Sequence, residues 1–125
     1  MSDFKTNAKK VHGLGSAKTG VHHWAVQKFT AVMNIVLVFW LLCAICHLAD
    51  LNYQDSITYM SSTWNAVFAS LFTVSTFYHA KLGLQVVIED YIPKACIKVA
   101  ALIVMNAVIF LGMFAALFAI FKIAI

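Results

Sequence analysis

Long apolar runs alternate with short polar segments along the chain. Three runs, at positions 29–49, 64–88 and 99–121, are predominantly apolar, although the second is interrupted by polar residues such as Asn65, His79 and Gln85. Each is long enough for the roughly 20 helical residues that cross the hydrocarbon core of a bilayer. A helix also satisfies its own backbone hydrogen bonds, which lipid cannot do for it. The pattern therefore predicts an all-α integral membrane bundle of three transmembrane helices.

Composition agrees with a membrane protein, and the distribution of charge predicts its orientation in the membrane. The 125 residues are 62% hydrophobic and 11% charged. A soluble domain has about 45–50% apolar residues and about 25% charged residues. The net charge of +4 comes from lysines, which precede the first run and separate the second from the third. The segment between the first two runs has aspartates and no lysine. The positive-inside rule therefore predicts a cytoplasmic N-terminus.

The limits of the runs divide the chain into segments of a single membrane domain. Pro93 ends the second span because proline cannot continue the helical hydrogen-bond ladder. The predicted segments are a cytoplasmic tail at 1–23, a first span at 24–49, an outer loop at 50–62, a second span at 63–90, a cytoplasmic turn at 91–98 and a third span at 99–122.

His79 is an ionisable residue inside the second run. Such a residue is a functional candidate, because its burial in hydrocarbon is costly unless it gains a partner. At about 100° per residue, Gly83, Val86 and Asp90 share its helix face. Gly83 leaves room for a flat group such as a porphyrin, or for another helix to approach closely. His79 is thus either a haem ligand or a structural histidine with a hydrogen-bond partner. No other histidine shares its depth, so a second axial imidazole would come from a partner chain.

The cytoplasmic boundary carries three further candidates. The Tyr91 phenol can donate a hydrogen bond to a quinone carbonyl, and Asp90 can orient the quinone or relay protons. Both residues are also typical of a membrane interface. Lys28 can pair with a carboxylate, including a haem propionate, or simply anchor the chain at the surface.

Lys81 is a second ionisable residue inside the second run. It lies about 200° from His79 and either extends toward the headgroups or has a catalytic role.

Two segments resemble a known family. HAKLGLQVVIEDY, at residues 79–91, is similar to the His-x-x-x-Gly-(x6)-Asp-Tyr segment of the small hydrophobic membrane anchor of succinate dehydrogenase, its D subunit. GVHHWAVQKFTA, at residues 20–31, resembles the segment that leads into the first span of that family. The signatures of the C subunit, Arg-Pro-x-Ser-Pro-His and His-x-x-x-Gly-x-Arg-His, are absent from the sequence.

The resemblance implies a subunit of succinate:ubiquinone oxidoreductase, respiratory complex II. Such a subunit has no succinate-oxidising site and pairs with a second anchor, the C subunit, beneath a flavoprotein and an iron–sulfur subunit. Electrons from succinate pass to ubiquinone, and haem b lies between the two anchors. The resemblance assigns five residues by their positions: His79 as an axial ligand of the haem iron, Tyr91 and Asp90 as quinone-site residues, Lys28 near a haem propionate, and His22 as a further histidine of this region.

Two alternatives remain at this stage. One is the anchor of a quinol:fumarate reductase, and the other is a haem-free adaptor that docks a soluble partner to the membrane. The lysine-bearing tail at 1–23 has no arginine and no evident amphipathic helix, unlike a transit peptide. We therefore expect the inner membrane of a bacterium rather than that of a mitochondrion.

Overall fold

The computed structural model describes residues 20–125, and every regular element in this range is an α-helix. This confirms the predicted all-α class. Residues 1–19 of the predicted tail lie outside the described range, and residues 20–23 form the first turn of a helix instead of a tail. The elements in chain order are α1 (Gly20–Ala49), α2 (Tyr53–Ser61), α3 (Thr63–Tyr91) and α4 (Ala95–Ala124).

Two of the long helices have the length and composition of membrane spans. α1 and α4 contain 30 residues each, and both are long and apolar enough to cross a membrane. At 1.5 Å per residue each is about 45 Å long, which exceeds the roughly 30 Å hydrocarbon core. α3 has 29 residues but is not among these spans. Its sequence carries more polar groups, including Ser75, Thr76, His79, Lys81 and Gln85.

α3 is the central helix, because it packs on both α1 and α4. On the α1 side, the rings of Trp40 and Phe68 stack with centroids 5.5 Å apart. On the α4 side, a Cβ at Gly112 would lie 2.8 Å from Cε1 of Phe77, so glycine lets the two helices approach closely. The polar groups of α3 thus lie on the helix that has protein on two sides.

The buried face of α1 repeats every seven residues. Its buried residues are Thr30, Leu37 and Ala44, and Leu82 and Met105 are the buried apolar residues of α3 and α4. Most large apolar side chains of the described helices are exposed, for example Phe39 at 71%. Apolar surface of this extent requires lipid or a partner protein to cover it.

The predicted outer loop contains the short helix α2. Asn52 caps this helix: its Oδ1 accepts a hydrogen bond from the Asp55 amide at 3.0 Å, and its Nδ2 donates to Asp55 Oδ2 at 2.8 Å. The Asn65 side chain then donates to the Tyr59 carbonyl at 2.8 Å, which joins the end of α2 to the start of α3. Capping by asparagine explains why a helix forms within a polar connection.

The connection between α3 and α4 falls within the predicted cytoplasmic turn. α3 ends at Tyr91 and α4 begins at Ala95, so residues 92–94 alone connect them, and Pro93 lies in the middle. Lys98 belongs to the first turn of α4, and its ammonium donates to the Glu89 carbonyl at 2.8 Å. A cation at a helix C-terminus satisfies one of the last free carbonyls and complements the helix dipole.

Candidate functional site

His79 is half-buried on α3 and faces α1. Its Nδ1 lies 3.0 Å from Oγ1 of Thr30, which is 8% exposed. Among residues 20–125 the other ring nitrogen, Nε2, has no hydrogen-bond partner, and it is not one of the fully buried polar atoms. The imidazole is therefore held through Nδ1, and Nε2 is left without a hydrogen-bond partner among the described residues.

Gly83 follows His79 by one turn, about 40° around the helix. A Cβ at Gly83 would meet no atom within 4 Å, whereas a Cβ at Gly112 would clash with the Phe77 ring. Packing within the described chain therefore requires glycine at 112 but not at 83. Because glycine inside a helix costs about 1 kcal/mol relative to alanine, a reason for Gly83 has to lie outside these residues. The open space fits a flat group beside the imidazole or the backbone of another helix.

The donor set fits an iron that is already held by a porphyrin. Residues 20–125 contain no cluster of three or more His, Cys, Asp or Glu side chains that could hold a bare metal ion. A haem iron has four ring nitrogens and needs only axial ligands from protein, so one imidazole with a free Nε2 meets the requirement of one axial position. The geometry of His79 and Gly83 is consistent with that role.

The predicted quinone-site residues lie at the end of α3. Asp90 is exposed, and Tyr91, the last residue of the helix, is 81% exposed. Neither side chain has a hydrogen-bond partner among the described residues, so both are available to a ligand or a partner subunit. From His79 to Asp90 the helix rises about 16 Å. The structure thus does not bring the candidate quinone-site residues and His79 together in one site.

The candidates on α1 lie at its exposed end. His22 and Lys28 are both exposed. Lys28 lies about 200° around the helix from Thr30, so it is on the opposite face of α1 from His79. His23 precedes Thr30 by seven residues and extends the buried stripe, and its Nε2 is buried without a partner in the described chain. Of the two neighbouring histidines, His23 and not His22 lies on the stripe that packs on α3.

Lys81 extends toward aromatic rings rather than along α3. Its Nζ lies 6.0 Å from the ring centroid of Tyr78 and 5.6 Å from that of Phe110 on α4. At these distances a cation is attracted by the negative face of an aromatic ring. The half-buried lysine thus has partners within the α3–α4 pair, on the side of α3 away from His79.

Sequence reasoning missed the polar layer around His79. Thr30 was visible only as a polar interruption of the first run, and its seven-residue spacing to Leu37 was the available signal. Asn34 follows Thr30 by one turn, and Ser75 precedes His79 by one turn, so the two fall at the same level of the antiparallel pair. Asn34 Oδ1 and Ser75 Oγ are both buried without a partner among residues 20–125. The polar side chains of the two helices thus lie together at the α1–α3 interface.

Comparisons with known proteins identify the family of the chain. The family model for the succinate dehydrogenase/fumarate reductase transmembrane subunit matches residues 2–120. The "Succinate dehydrogenase hydrophobic membrane anchor subunit" of Rickettsia bellii (strain RML369-C) is 36% identical over 90 residues, and that of Rickettsia conorii (strain ATCC VR-613 / Malish 7) is 37% identical over 93 residues; each alignment covers 72% of both chains. The subunit of the same name from Paracoccus denitrificans is 29% identical over 76% of this chain and 74% of its own.

No solved structure matches the chain. The family model covers nearly the whole sequence, including both segments that carry the resemblance, and the relatives above 30% identity share most of their length with it. The chain belongs to the family of succinate dehydrogenase/fumarate reductase transmembrane subunits.

Proposed function

We propose that the chain is the small, D-type membrane anchor of a succinate:ubiquinone oxidoreductase, respiratory complex II. It crosses the membrane three times, with its N-terminus in the cytoplasm, and joins a C-type anchor, an iron–sulfur subunit and a flavoprotein. α3 completes the three spans because it lies between α1 and α4 and is as long as they are. The polar groups on α3 then face protein or cofactor. The bacterial relatives favour the inner membrane of a bacterium.

His79 is the axial ligand that this chain contributes to haem b. The observation that carries this proposal is the orientation of its imidazole: Nδ1 contacts the Thr30 hydroxyl, while Nε2 has no hydrogen-bond partner among the described residues. Gly83, whose Cβ position is open, follows on the same face of the helix. When bound, haem b supplies a one-electron carrier within the membrane. Gly83 would leave room for the flat ring beside His79, and a second histidine would come from the C-type anchor. Lys28 is proposed near a haem propionate, and the resemblance alone adds His22 as a further histidine of this region.

Tyr91 and Asp90 bind ubiquinone at the cytoplasmic boundary. The phenol donates a hydrogen bond to a quinone carbonyl, and the carboxylate accepts or passes protons where water is accessible. Both side chains are exposed in the isolated subunit, which suits a site that the iron–sulfur subunit completes. Electrons from succinate oxidation enter the quinone pool here and so connect the tricarboxylic acid cycle to the respiratory chain.

A reduced-minus-oxidised optical spectrum tests the haem assignment. We expect the purified complex to show a b-type band that is lost or altered in His79→Ala. His47→Ala is the matched control, because His47 is also a histidine of a long helix but lies 4.6 Å from the Tyr59 ring at the outer end. An unchanged band in His79→Ala would assign the ligand to another residue. A wild-type complex without haem would leave the haem-free adaptor as the better account.

The family description also covers fumarate reductase, so the opposite physiological direction is the second candidate. Two measurements distinguish a succinate dehydrogenase from a fumarate reductase: the ratio of the rates of succinate oxidation and fumarate reduction in the intact complex, and the reduction potential of its native quinone. We expect faster succinate oxidation with a ubiquinone acceptor. A complex that chiefly oxidises a low-potential quinol with fumarate would assign the chain to the reductase.

A further inference from the structure

We propose that Thr30 is a positioning residue that fixes the tautomer and the rotation of His79, so that Nε2 is the nitrogen available to a metal. This inference rests on the proposed haem ligation. It adds a role for Thr30, which lies on a different helix from His79. The contact is the 3.0 Å approach of Thr30 Oγ1 to His79 Nδ1.

The hydrogen count favours one arrangement. The Thr30 hydroxyl has a single proton and lies 3.0 Å from the Val26 carbonyl and 3.1 Å from the Gln27 carbonyl. Both carbonyl oxygens are acceptors only, so the hydroxyl proton points to them and the hydroxyl oxygen faces the ring with its lone pairs. The ring must then donate from Nδ1–H. A neutral imidazole with its proton on Nδ1 has its free lone pair on Nε2.

The surroundings make this arrangement stable. Thr30 is buried where α1 packs on α3, and no other described side chain hydrogen-bonds to its hydroxyl. A threonine in a helix has restricted rotamers, and one of them bonds the carbonyl of the preceding turn. The hydroxyl oxygen is therefore held by its own helix. Metal-bound histidines commonly donate their second ring N–H to such an acceptor, which orients the ring and raises its basicity.

Thr73 is a matched control for Thr30. It is buried to the same degree, at 9% against 8% exposed, and its hydroxyl donates to the Ala69 carbonyl at 2.9 Å. Both threonines thus make the same bond within their own helix. Only Thr30 also contacts a histidine. The pair Thr30→Val and Thr73→Val therefore separates loss of the histidine contact from loss of a buried hydroxyl.

The test is a redox titration of the haem band in the assembled complex, for wild type, Thr30→Val, Thr30→Ser and Thr73→Val. Loss of the acceptor at Nδ1 makes the imidazole a weaker electron donor, which disfavours ferric iron. We expect Thr30→Val to raise the midpoint potential and to shift the low-spin electron paramagnetic resonance signal. Thr30→Ser retains the hydroxyl and should titrate like wild type, as should Thr73→Val. A lower haem content per assembled complex in Thr30→Val, with normal content in the other two, also counts in favour.

Two results would overturn the inference while leaving His79 as the ligand. One is a Thr30→Val complex with the potential and resonance signal of wild type. The other is an equal change in Thr30→Val and Thr73→Val, which would reduce Thr30 to a packing role. A wild-type complex without haem, or a His79→Ala complex with an unaltered haem, would instead refute the proposed function, and the role of Thr30 would fail with it.

Discussion

Two glycines in the described helices have opposite surroundings, and this difference can be measured. At Gly112 an added methyl group would meet the Phe77 ring at 2.8 Å, whereas at Gly83 it would meet nothing. An aromatic ring between packed helices cannot shift without moving its neighbours. Packing against Phe77 thus explains the glycine at position 112. No contact within the described chain explains Gly83, so its reason is sought in the group that lies beside His79.

We therefore expect different results from the same substitution. Gly112→Ala should lower the free energy of unfolding by about 1–3 kcal/mol, the usual cost of overpacking, and Phe77→Leu should recover part of it. Gly83→Ala should leave the free energy of unfolding unchanged or raise it. The same substitution should lower the haem content or shift the b-type band. Thermal unfolding of the purified complex and its optical spectrum measure the two effects. A normal spectrum in Gly83→Ala would show that no flat group contacts this position.

Tyr91 permits an equally direct comparison. Tyr53 has the same exposure, 80% against 81%, but lies at the start of α2 at the opposite end of the bundle. Tyr91→Phe removes only the hydroxyl, so we expect a raised KM for ubiquinone analogues and a reduced rate of quinone reduction, with succinate oxidation by an artificial acceptor unchanged. Tyr53→Phe should match wild type in both assays. Equal quinone kinetics in the two variants would exclude the phenol of Tyr91 from the quinone site.

His79 was predictable from the sequence, but its partner Thr30 was not. An ionisable residue inside an apolar run is recognisable without any structure, because its burial in hydrocarbon is costly unless it gains a partner. The contact with Thr30 depends on how α1 slides and rotates against α3. The apolar runs contain too little polar pattern to fix that register. For the same reason the sequence did not show that His23 lies on the buried stripe of α1. His22 was named only by the resemblance, and its role stays a prediction.

At the scale of elements, the three long helices followed from the length of the apolar runs, and α2 did not. The predicted outer loop has no apolar run, and its helix depends on a local signal, Asn52 followed by Asp55 three positions later. The ends of the helices also differed from the prediction. α1 begins at Gly20 and α4 at Ala95 because helices continue past the hydrocarbon into the polar boundary, which a hydropathy pattern does not mark.

The Asn52 cap predicts the local stability of α2. Asn52→Ala removes the acceptor for the Asp55 amide and should destabilise α2 by about 1 kcal/mol. Hydrogen exchange of the α2 amides should rise accordingly, while exchange in α3 and α4 stays unchanged. Gln54→Ala is the control, because the Gln54 side chain is exposed and only its backbone carbonyl accepts a bond within α2. Unchanged exchange in Asn52→Ala would mean that packing against α3 and α4 holds α2 instead.

For the molecule as a whole, the distribution of lysines predicts which end faces the cytoplasm. Cys96 is exposed in the first turn of α4, at the end predicted to be cytoplasmic. A membrane-impermeant maleimide should label Cys96 in inverted vesicles and not in intact spheroplasts. Ser62→Cys, in a chain with the three natural cysteines replaced by serine, should show the reverse. Labelling of Cys96 from the outside would invert the proposed topology.

The small number of buried side chains has a consequence beyond the membrane complex. Within residues 20–125 only Leu37, Ala44, Leu82 and Met105 are buried apolar residues, so the helices of a solitary subunit have little to hold them in one arrangement. Copies that find no partner should open readily and be degraded by membrane proteases, since quality control removes chains in proportion to their unfolded fraction. The amount of this subunit in a cell is then set by the supply of its partners, and surplus synthesis leaves no surplus protein.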